Sequence, residues 1–265
     1  MPRIQAGEVE IEFIERGQGT PLLLVHGFPL DHSMWDNQIE RFASQARVIA
    51  PDLRGCGGST VTAGTVTMEQ MADDFALLLD ALGVSEPVVF CGLSMGGYVA
   101  WQFWRKHRAR LRALVLCDTR AAADSPETVQ TRMKMREHVL RAGTPYVTEA
   151  MLPKLFAPQT FKRHPEIVES VRHKILGASP EGIAAALMGL VARPDMTDQL
   201  TNIALPTLAI VGEVDAISPP HEMRKMAEAI PGARLAVIPD AGHMPPLENP
   251  EAFNAELEEF LARVK

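Results

Sequence analysis

A serine at position 94 lies in a setting that would present its hydroxyl for nucleophilic attack. It is the centre of the pentapeptide GLSMG, which follows the apolar run 87–91 and precedes a stretch, 97–106, with the apolar spacing of a helix. On a tight strand-to-helix turn, the residues two positions before and after the serine must be small, because the backbone folds back on itself. Gly92 and Gly96 meet this requirement. We predict that Ser94 is a nucleophile.

Two later turns carry the groups that a serine nucleophile needs. A serine hydroxyl is almost wholly protonated at neutral pH, so its attack requires a base and an acid that orients the base. The apolar run 206–211 leads into a turn with Asp215, and the run 234–239 leads into a turn with His243. An acid and then a histidine, both at strand ends after the serine, is the order expected with this type of turn. We predict Asp215 as the acid and His243 as the base.

Other residues compete for these roles. Asp118 also follows an apolar run, 114–117, and is an alternative to Asp215 as the acid, although we favour Asp215. His26 ends an apolar run too, but it precedes the serine, and we expect it to be a structural donor that fixes its loop. The six other histidines occur in helical or polar surroundings, where we expect solvated side chains: His32, His107, His138, His164, His173 and His221.

Attack on a carbonyl creates an oxyanion, which backbone N–H groups can stabilise. One donor is the amide of Met95, the residue after the nucleophile, at the start of a helix where N–H groups are unpaired. The second is the amide of Phe28, in the loop after an early strand, since the neighbouring Pro29 has no N–H. We predict that Phe28 and Met95 form an oxyanion hole.

Five sequence blocks together resemble the α/β-hydrolase family, in the order in which that family carries them. They are HGFP at 26–29, PDLRGCGGS at 51–59, GLSMGG at 92–97, GEVD at 212–215 and AGH at 241–243. Within the family, the segment 238–251 is similar to the small, cofactor-free branch of 3-oxoadipate enol-lactonases, carboxylesterases and non-haem haloperoxidases. Cys56 departs from this pattern, because relatives often carry histidine there. The resemblance implies the same triad roles for Ser94, Asp215 and His243.

The strand pattern indicates an α/β protein. Residues 8–15 alternate between apolar and acidic side chains, which is typical of an antiparallel strand with one solvated face. Six apolar runs separated by helical patterns predict parallel strands: Leu22–Val25, Arg47–Ala50, Val88–Cys91, Leu114–Cys117, Leu208–Val211 and Leu235–Ile238. We expect an α/β-hydrolase fold, with a mostly parallel eight-stranded sheet flanked by helices.

Two helix starts also have sequence signals. Thr67 and Gln70 predict a capping box, and Asn249 before Pro250 predicts the start of a helix.

The segment 121–199 interrupts the strand pattern. It contains helical segments that begin at Ser-Pro or His-Pro pairs at 125, 164 and 179. We predict a helical cap at 121–199, inserted into a core domain formed by 1–120 and 200–265. Such a cap would shape a substrate pocket, and its candidate lining residues, together with one beside the predicted base, are Met151, Leu155, Met188 and Met244.

Composition limits the partners. A net charge of −7 argues against nucleic acid or an anionic membrane, because both select a basic surface. The chain contains no run of about 20 apolar residues, and its first residues lack the apolar core of a secretory signal, so we expect a cytoplasmic protein. The three cysteines lack metal-ligand spacing, and we predict neither a metal nor a cofactor. The sequence leaves the oligomeric state open.

These patterns favour a serine hydrolase that cleaves small carboxylic esters or lactones through an acyl-enzyme on Ser94. A carbon–carbon bond hydrolase or a perhydrolase would use the same triad, so both are open alternatives. A ligand receptor built on the same fold is a third, from a different functional class.

Overall fold

Eight strands form one sheet in the computed structural model, which describes residues 1–264 and leaves Lys265, the last residue of the predicted core, outside. The strand order is β1-β2-β4-β3-β5-β6-β7-β8; β1 and β2 pair antiparallel, as do β2 and β4, and the other pairs are parallel. The strands are β1 (Arg3–Ala6), β2 (Val9–Arg16), β3 (Pro21–Val25), β4 (Arg47–Pro51), β5 (Val88–Leu93), β6 (Leu111–Cys117), β7 (Thr207–Gly212) and β8 (Arg234–Ile238).

Eleven α-helices lie between and after these strands within residues 1–264. They are α1 (Asp36–Phe42), α2 (Met68–Ala81), α3 (Met95–His107), α4 (Pro126–Ala142), α5 (Pro145–Leu155), α6 (Pro158–Arg163), α7 (Pro165–Gly177), α8 (Pro180–Ala192), α9 (Pro220–Ala229), α10 (Pro245–Glu248) and α11 (Pro250–Arg263). Helices α2 and α3 pack on each other, as do α1 and α11, and both pairs also contact the sheet. The predicted fold class, a mostly parallel eight-stranded sheet flanked by helices, is confirmed.

The centre of the sheet is the core of the protein. Every residue of β3, β5 and β7 is buried, as expected for parallel strands covered on both faces. The outer strand β2 instead buries Val9, Ile11 and Phe13 and exposes Glu10. This alternation confirms the solvated face that the sequence predicted for that strand.

Five helices, α4 to α8, lie between β6 and β7, and we call them the helical insertion. Three of them begin where the sequence predicted, after residues 125, 164 and 179, whereas the starts of α5 and α6 were not predicted. The segments that lead into and out of the insertion are joined, because Met196 N–H donates to Ala121 O at 2.9 Å. Nearby, the buried Arg193 pairs with Asp124 at 2.7 Å.

The first strand, β1, was missed by the sequence analysis. It is only four residues long, and a single residue of the four, Ala6, is buried. Its position depends on pairing with β2, where Ile4 lies opposite Ile11. A strand this short and exposed carries too little hydrophobic pattern to be recognised.

His32 corrects another expectation. The sequence analysis placed it among the solvated histidines, but its side chain is buried and its Nδ1 lies 2.7 Å from Asp52 Oδ1. Burial opposes protonation of the imidazole, but the hydrogen bond and negative charge of Asp52 outweigh this effect and raise the pKa of His32. The error arose because the partner carboxylate is 20 residues away in the chain.

Within residues 1–264 no single helix is long and apolar enough to cross a membrane. Only α7 and α8 taken together reach that length and composition, and they meet at an angle of 96°.

The predicted capping box at the start of α2 is present. Thr67 Oγ1 accepts from Gln70 N–H, and Gln70 Oε1 accepts from Thr67 N–H. We expect Thr67→Ala to lower the free energy of unfolding by about 1 kcal/mol, because an N-terminal amide of the helix loses its acceptor. Urea denaturation measures this change. The control is Thr65→Ala, which alters an exposed threonine outside the helix and should leave stability unchanged.

Candidate active site

Ser94 lies on a strained turn between β5 and α3. Its backbone has φ 53° and ψ −110°, a conformation that residues with a side chain rarely adopt. Two hydrogen bonds hold it there: Ser94 N–H donates to Cys117 O at 2.8 Å, and the Thr119 hydroxyl donates to Ser94 O at 2.8 Å. The side chain is partly exposed, while its neighbours in sequence are buried. The turn therefore presents one polar side chain above the sheet.

The two glycines of the turn are required by close backbone contacts. A Cβ on Gly92 would lie 2.4 Å from the carbonyl oxygen of Gly96, and a Cβ on Gly96 would lie 2.3 Å from Val25 O. Both obstacles are main-chain atoms, which cannot rotate away as a side chain can. The sequence predicted small residues at these two positions for this reason.

His243 and Asp215 form a buried pair at the carboxyl ends of β8 and β7. His243 Nδ1 lies 2.9 Å from Asp215 Oδ2, and both side chains are almost fully buried. Asp215 Oδ1 also accepts from Ile217 N–H at 2.7 Å. Burial opposes ionisation of Asp215, but His243 and nearby N–H groups outweigh it and hold the pKa of the carboxyl below its usual value. The pair is arranged so that an ionised carboxylate orients an imidazole.

Asp118 lies beside this pair and makes a different set of contacts. Its Oδ1 accepts from Gly212 N–H at 2.9 Å, but no donor of residues 1–264 reaches its Oδ2. An oxygen of Asp118, an oxygen of Asp215 and a nitrogen of His243 all lie within 4.8 Å of one another. Burial, and secondly the charge of Asp215, raise the pKa of Asp118 well above its usual value. A neutral Asp118 can donate the proton on Oδ2 to Asp215.

Two backbone amides beside Ser94 are unpaired. Neither the N–H of Met95 nor that of Phe28 has a hydrogen-bond acceptor in the described part of the chain. Met95 is the first residue of α3, where the helix dipole favours an anion. The loop carrying Phe28 is close to the nucleophile, since a Cβ on Gly27 would lie 3.3 Å from Ser94 Cβ. Their role as an oxyanion hole stays a prediction.

His26 fixes the loop that carries Phe28. Its Nε2 accepts from Leu53 N–H at 2.9 Å, and its Nδ1 donates to Gly27 O at 3.0 Å. Complete burial lowers the pKa of His26, which favours the neutral imidazole that this pattern requires. The loops after β3 and β4 are thereby joined. This is the structural role that the sequence suggested for His26.

Within residues 1–264, two groups of side chains have donor atoms close enough together to hold a metal ion. They are Glu12, His32 and Asp52, and the site group Asp118, Asp215 and His243. In each group the histidine Nδ1 is hydrogen-bonded to an aspartate. These pairs leave His32 Nε2 and Asp118 Oδ2 without a hydrogen-bond partner among the described residues.

The four predicted pocket residues differ in exposure. Leu155 and Met244 are buried, and Met151 and Met188 are partly exposed. The carbonyl of Leu155 accepts from His243 N–H at 3.0 Å, so the helical insertion contacts the histidine directly. Their contact with substrate stays a prediction.

Sequence reasoning missed two residues of the site. Thr119 holds the Ser94 carbonyl, and the carboxylate of Glu248 contacts both the insertion and the turn that carries His243. Glu248 lies five positions after the histidine in a one-turn helix, and its contacts in the insertion are about 90 residues away. No local sequence pattern predicts such a role.

A family model described as the alpha/beta hydrolase family matches residues 22–256, which include all but the first residue of β3, all of β4 to β8, the strained serine turn and the histidine–aspartate pair. The chain belongs to this family. A structure of a thermophilic esterase from Thermogutta terrifontis with malate bound is similar over 100% of this chain and 99% of that one, with 50% identity and a TM-score of 0.97. As an alpha/beta hydrolase, the protein also resembles two named lactonases.

One is the enol-lactonase from Burkholderia xenovorans LB400, whose structure is 29% identical, with a TM-score of 0.92 over 98% of this chain and 100% of that one. The other is 3-oxoadipate enol-lactonase 2 of Acinetobacter baylyi, 29% identical over 98% of this chain and 96% of the relative. The branch of the family that the sequence suggested is therefore confirmed.

Substitution of each candidate acid, Asp215 and Asp118, tests which of them orients His243. We expect Asp215→Asn to lower the kcat for ester hydrolysis by about 10⁴-fold, because the amide cannot orient and stabilise a protonated His243. Asp118→Asn should retain most of the activity, since it replaces a neutral acid with a neutral amide. Steady-state kinetics with p-nitrophenyl acetate on both folded variants makes the comparison. The reverse order of activities would identify Asp118 as the acid.

The raised pKa of Asp118 also predicts a pH dependence of stability. Folding keeps this carboxyl protonated above its usual pKa of 3.8, at which the unfolded chain ionises. The folded state then binds more protons than the unfolded state, and its stability falls as pH rises between the two pKa values. Asp118→Asn removes this loss. The difference in unfolding free energy between Asp118→Asn and wild type should grow as pH rises above 3.8, by up to about 1.4 kcal/mol per pH unit, as measured by urea denaturation. A constant difference would contradict a raised pKa.

Proposed function

We propose that the protein hydrolyses small carboxylic esters or lactones through a covalent acyl-enzyme on Ser94. The observation that carries this proposal is the combination of a serine on a strained turn with a buried His243–Asp215 pair at the same edge of the sheet. The esterase and enol-lactonase names of its relatives support the substrate class.

His243 acts as the base in the first half of the reaction. Its Nδ1 donates to Asp215, which leaves Nε2 unprotonated and able to remove the proton from Ser94 Oγ as that oxygen attacks the carbonyl. Asp215 holds the imidazole in this tautomer and stabilises the cation that forms. His243 then donates the proton to the leaving alcohol, and the acyl group stays on Ser94.

Water completes the reaction. Nε2 of His243 removes a proton from the water that attacks the acyl-enzyme, and returns it to Ser94 Oγ as the carboxylic acid leaves. Both tetrahedral intermediates place negative charge on the former carbonyl oxygen. The unpaired amides of Phe28 and Met95 are the donors for that charge. In a lactone the leaving alcohol remains attached to the acyl group, so a single hydroxy acid is released.

The helical insertion serves as the cap over this site in our proposal. The cap comprises residues 121–199, and the core comprises 1–120 and 200–265. The contact between Leu155 O and His243 N–H supports this placement, because it brings the end of α5 to the turn of the base. Met151, Leu155, Met188 and Met244 are then the apolar residues that we expect to line the acyl or alcohol pocket.

Removal of the nucleophile tests the proposal. We expect Ser94→Ala to lower kcat for p-nitrophenyl butyrate by about 10⁶-fold, the loss typical of a deleted serine nucleophile. The control is Ser85→Ala, which alters an exposed serine at the opposite end of β5 and should leave kcat unchanged. Hydrolysis by Ser94→Ala at the wild-type rate would refute the proposed mechanism.

Product analysis distinguishes the open alternatives. A panel of esters and lactones of increasing acyl length should give steady multiple turnover, with a clear optimum for small acyl groups. Faster reaction with a β-diketone would instead indicate carbon–carbon bond hydrolysis, and peracid formation with peroxide a perhydrolase. A single turnover followed by tightly held product would indicate a receptor.

A further inference from the structure

Glu248 joins the turn of His243 to the helical insertion through one carboxylate. Its Oε1 accepts from Gly242 N–H at 2.8 Å and from Met244 N–H at 3.1 Å. Its Oε2 accepts from Ala157 N–H at 2.7 Å and from the Thr160 hydroxyl at 2.6 Å. One oxygen thus accepts hydrogen bonds from the residues on both sides of His243, and the other accepts hydrogen bonds from the start of α6.

The amide of His243 itself completes this network. It donates to Leu155 O at 3.0 Å, so three consecutive N–H groups, from 242 to 244, all have fixed acceptors. One of the three acceptors belongs to the insertion, and Glu248, which supplies the other two, is itself bound to the insertion. Gly242 also lies against it, because a Cβ there would be 2.6 Å from Ala157 N. The backbone of His243 cannot shift without disturbing the end of α5 or the start of α6.

The charge state of Glu248 follows from its neighbours. Burial raises the pKa of this carboxyl above its usual value, and the four donors offset part of that rise by stabilising the anion. Three of the donors are backbone N–H groups, which cannot accept a hydrogen bond, whereas the Thr160 hydroxyl can act as donor or acceptor. The ionised form satisfies all four contacts, and charge-assisted bonds of this kind are stronger than neutral ones.

We propose that Glu248 is a positioning residue that sets His243 relative to Ser94 and makes that position depend on the helical insertion. This inference rests on the proposed function, in which His243 is the base and the insertion is the cap. Substrate that displaces the start of α6 would pull on Oε2, and the same carboxylate would transmit the shift to the residues flanking His243. Proton transfer would then be sensitive to how the cap closes on the substrate.

Glu248→Gln tests the positioning role. The amide keeps the shape but turns one acceptor into a donor, so at least one of the four bonds, from a backbone N–H, is lost. We expect the acylation rate with p-nitrophenyl acetate to fall by about 10- to 100-fold, because small displacements of a proton-transfer group are costly, while KM changes little. Rates are normalised to the sites titrated to completion with a fluorophosphonate, so that only folded enzyme is counted.

Two controls separate positioning from general effects of the substitution. Glu251→Gln removes the same charge from an exposed residue three positions later and should keep the wild-type rate. If Glu248 serves stability alone, Glu248→Gln will lower the Tm but leave the acylation rate per titrated site unchanged. That result would overturn the inference and leave the Ser94 mechanism intact, because the mechanism is tested by Ser94→Ala.

The insertion side of the contact is tested by Thr160→Val, which removes only the hydroxyl bound to Oε2. We expect acylation to slow by about fivefold, the effect of one weakened hydrogen bond, and Thr160→Ser to restore it. Thr148→Val is the matched control, because it removes a buried hydroxyl within α5 that bonds only to Thr144 O. The Thr160→Val comparison tests the positioning role even if Glu248→Gln does not fold. Equal rates for Thr160→Val and wild type would overturn the inferred dependence of His243 on the contact between Thr160 and Glu248.

Discussion

The close approach of three backbone segments around Ser94 is the constraint on which the site depends. The end of β3, the end of β5 and the start of α3 meet so tightly that Gly92 and Gly96 have no room for a Cβ. With these contacts fixed, the chain between the two glycines turns sharply, and Ser94 adopts a positive φ. The position of Ser94 is thereby set by main-chain packing rather than by its own side-chain contacts. Rigid placement of this kind lowers the entropic cost of bringing a reactive group to a carbonyl.

Backbone strain is concentrated at one edge of the sheet. Among the described residues, only Ser94, Asp118 and Asp240 combine a side chain with a positive φ, and each follows the carboxyl end of a strand. The hydrogen bonds of the parallel strands hold these ends in register, so the sheet can support unfavourable turns. The same edge also buries two carboxyl groups beside one imidazole. One ionised and one neutral carboxyl is the arrangement with the lower electrostatic cost, because two adjacent buried anions would repel each other.

Much of this architecture could be predicted from local sequence. The glycines around Ser94 and the apolar runs of β3 to β8 leave short-range signals, since each concerns residues within a few positions of one another. Asp215 and His243 could be proposed because each follows such an apolar run. Contacts between distant segments leave none. His32 looked like a surface histidine because its partner Asp52 is remote in the chain, and β1 was missed because only its pairing with β2 defines it.

The residues of the site also differ in whether their contacts are with the sheet or with the helical insertion. The hydrogen bonds of Ser94 and Asp215 go to the strands, their adjoining turns and α3 rather than to the helices inserted between β6 and β7. His243 is different, because its amide bonds to Leu155 and its neighbours bond to Glu248. In the proposed mechanism, His243 moves a proton between serine, leaving group and water, and so lies between the sheet and the substrate. The turn that carries His243 contacts both the sheet and the helical insertion. A change in the inserted helices can therefore alter the chemistry through this turn while the sheet stays the same.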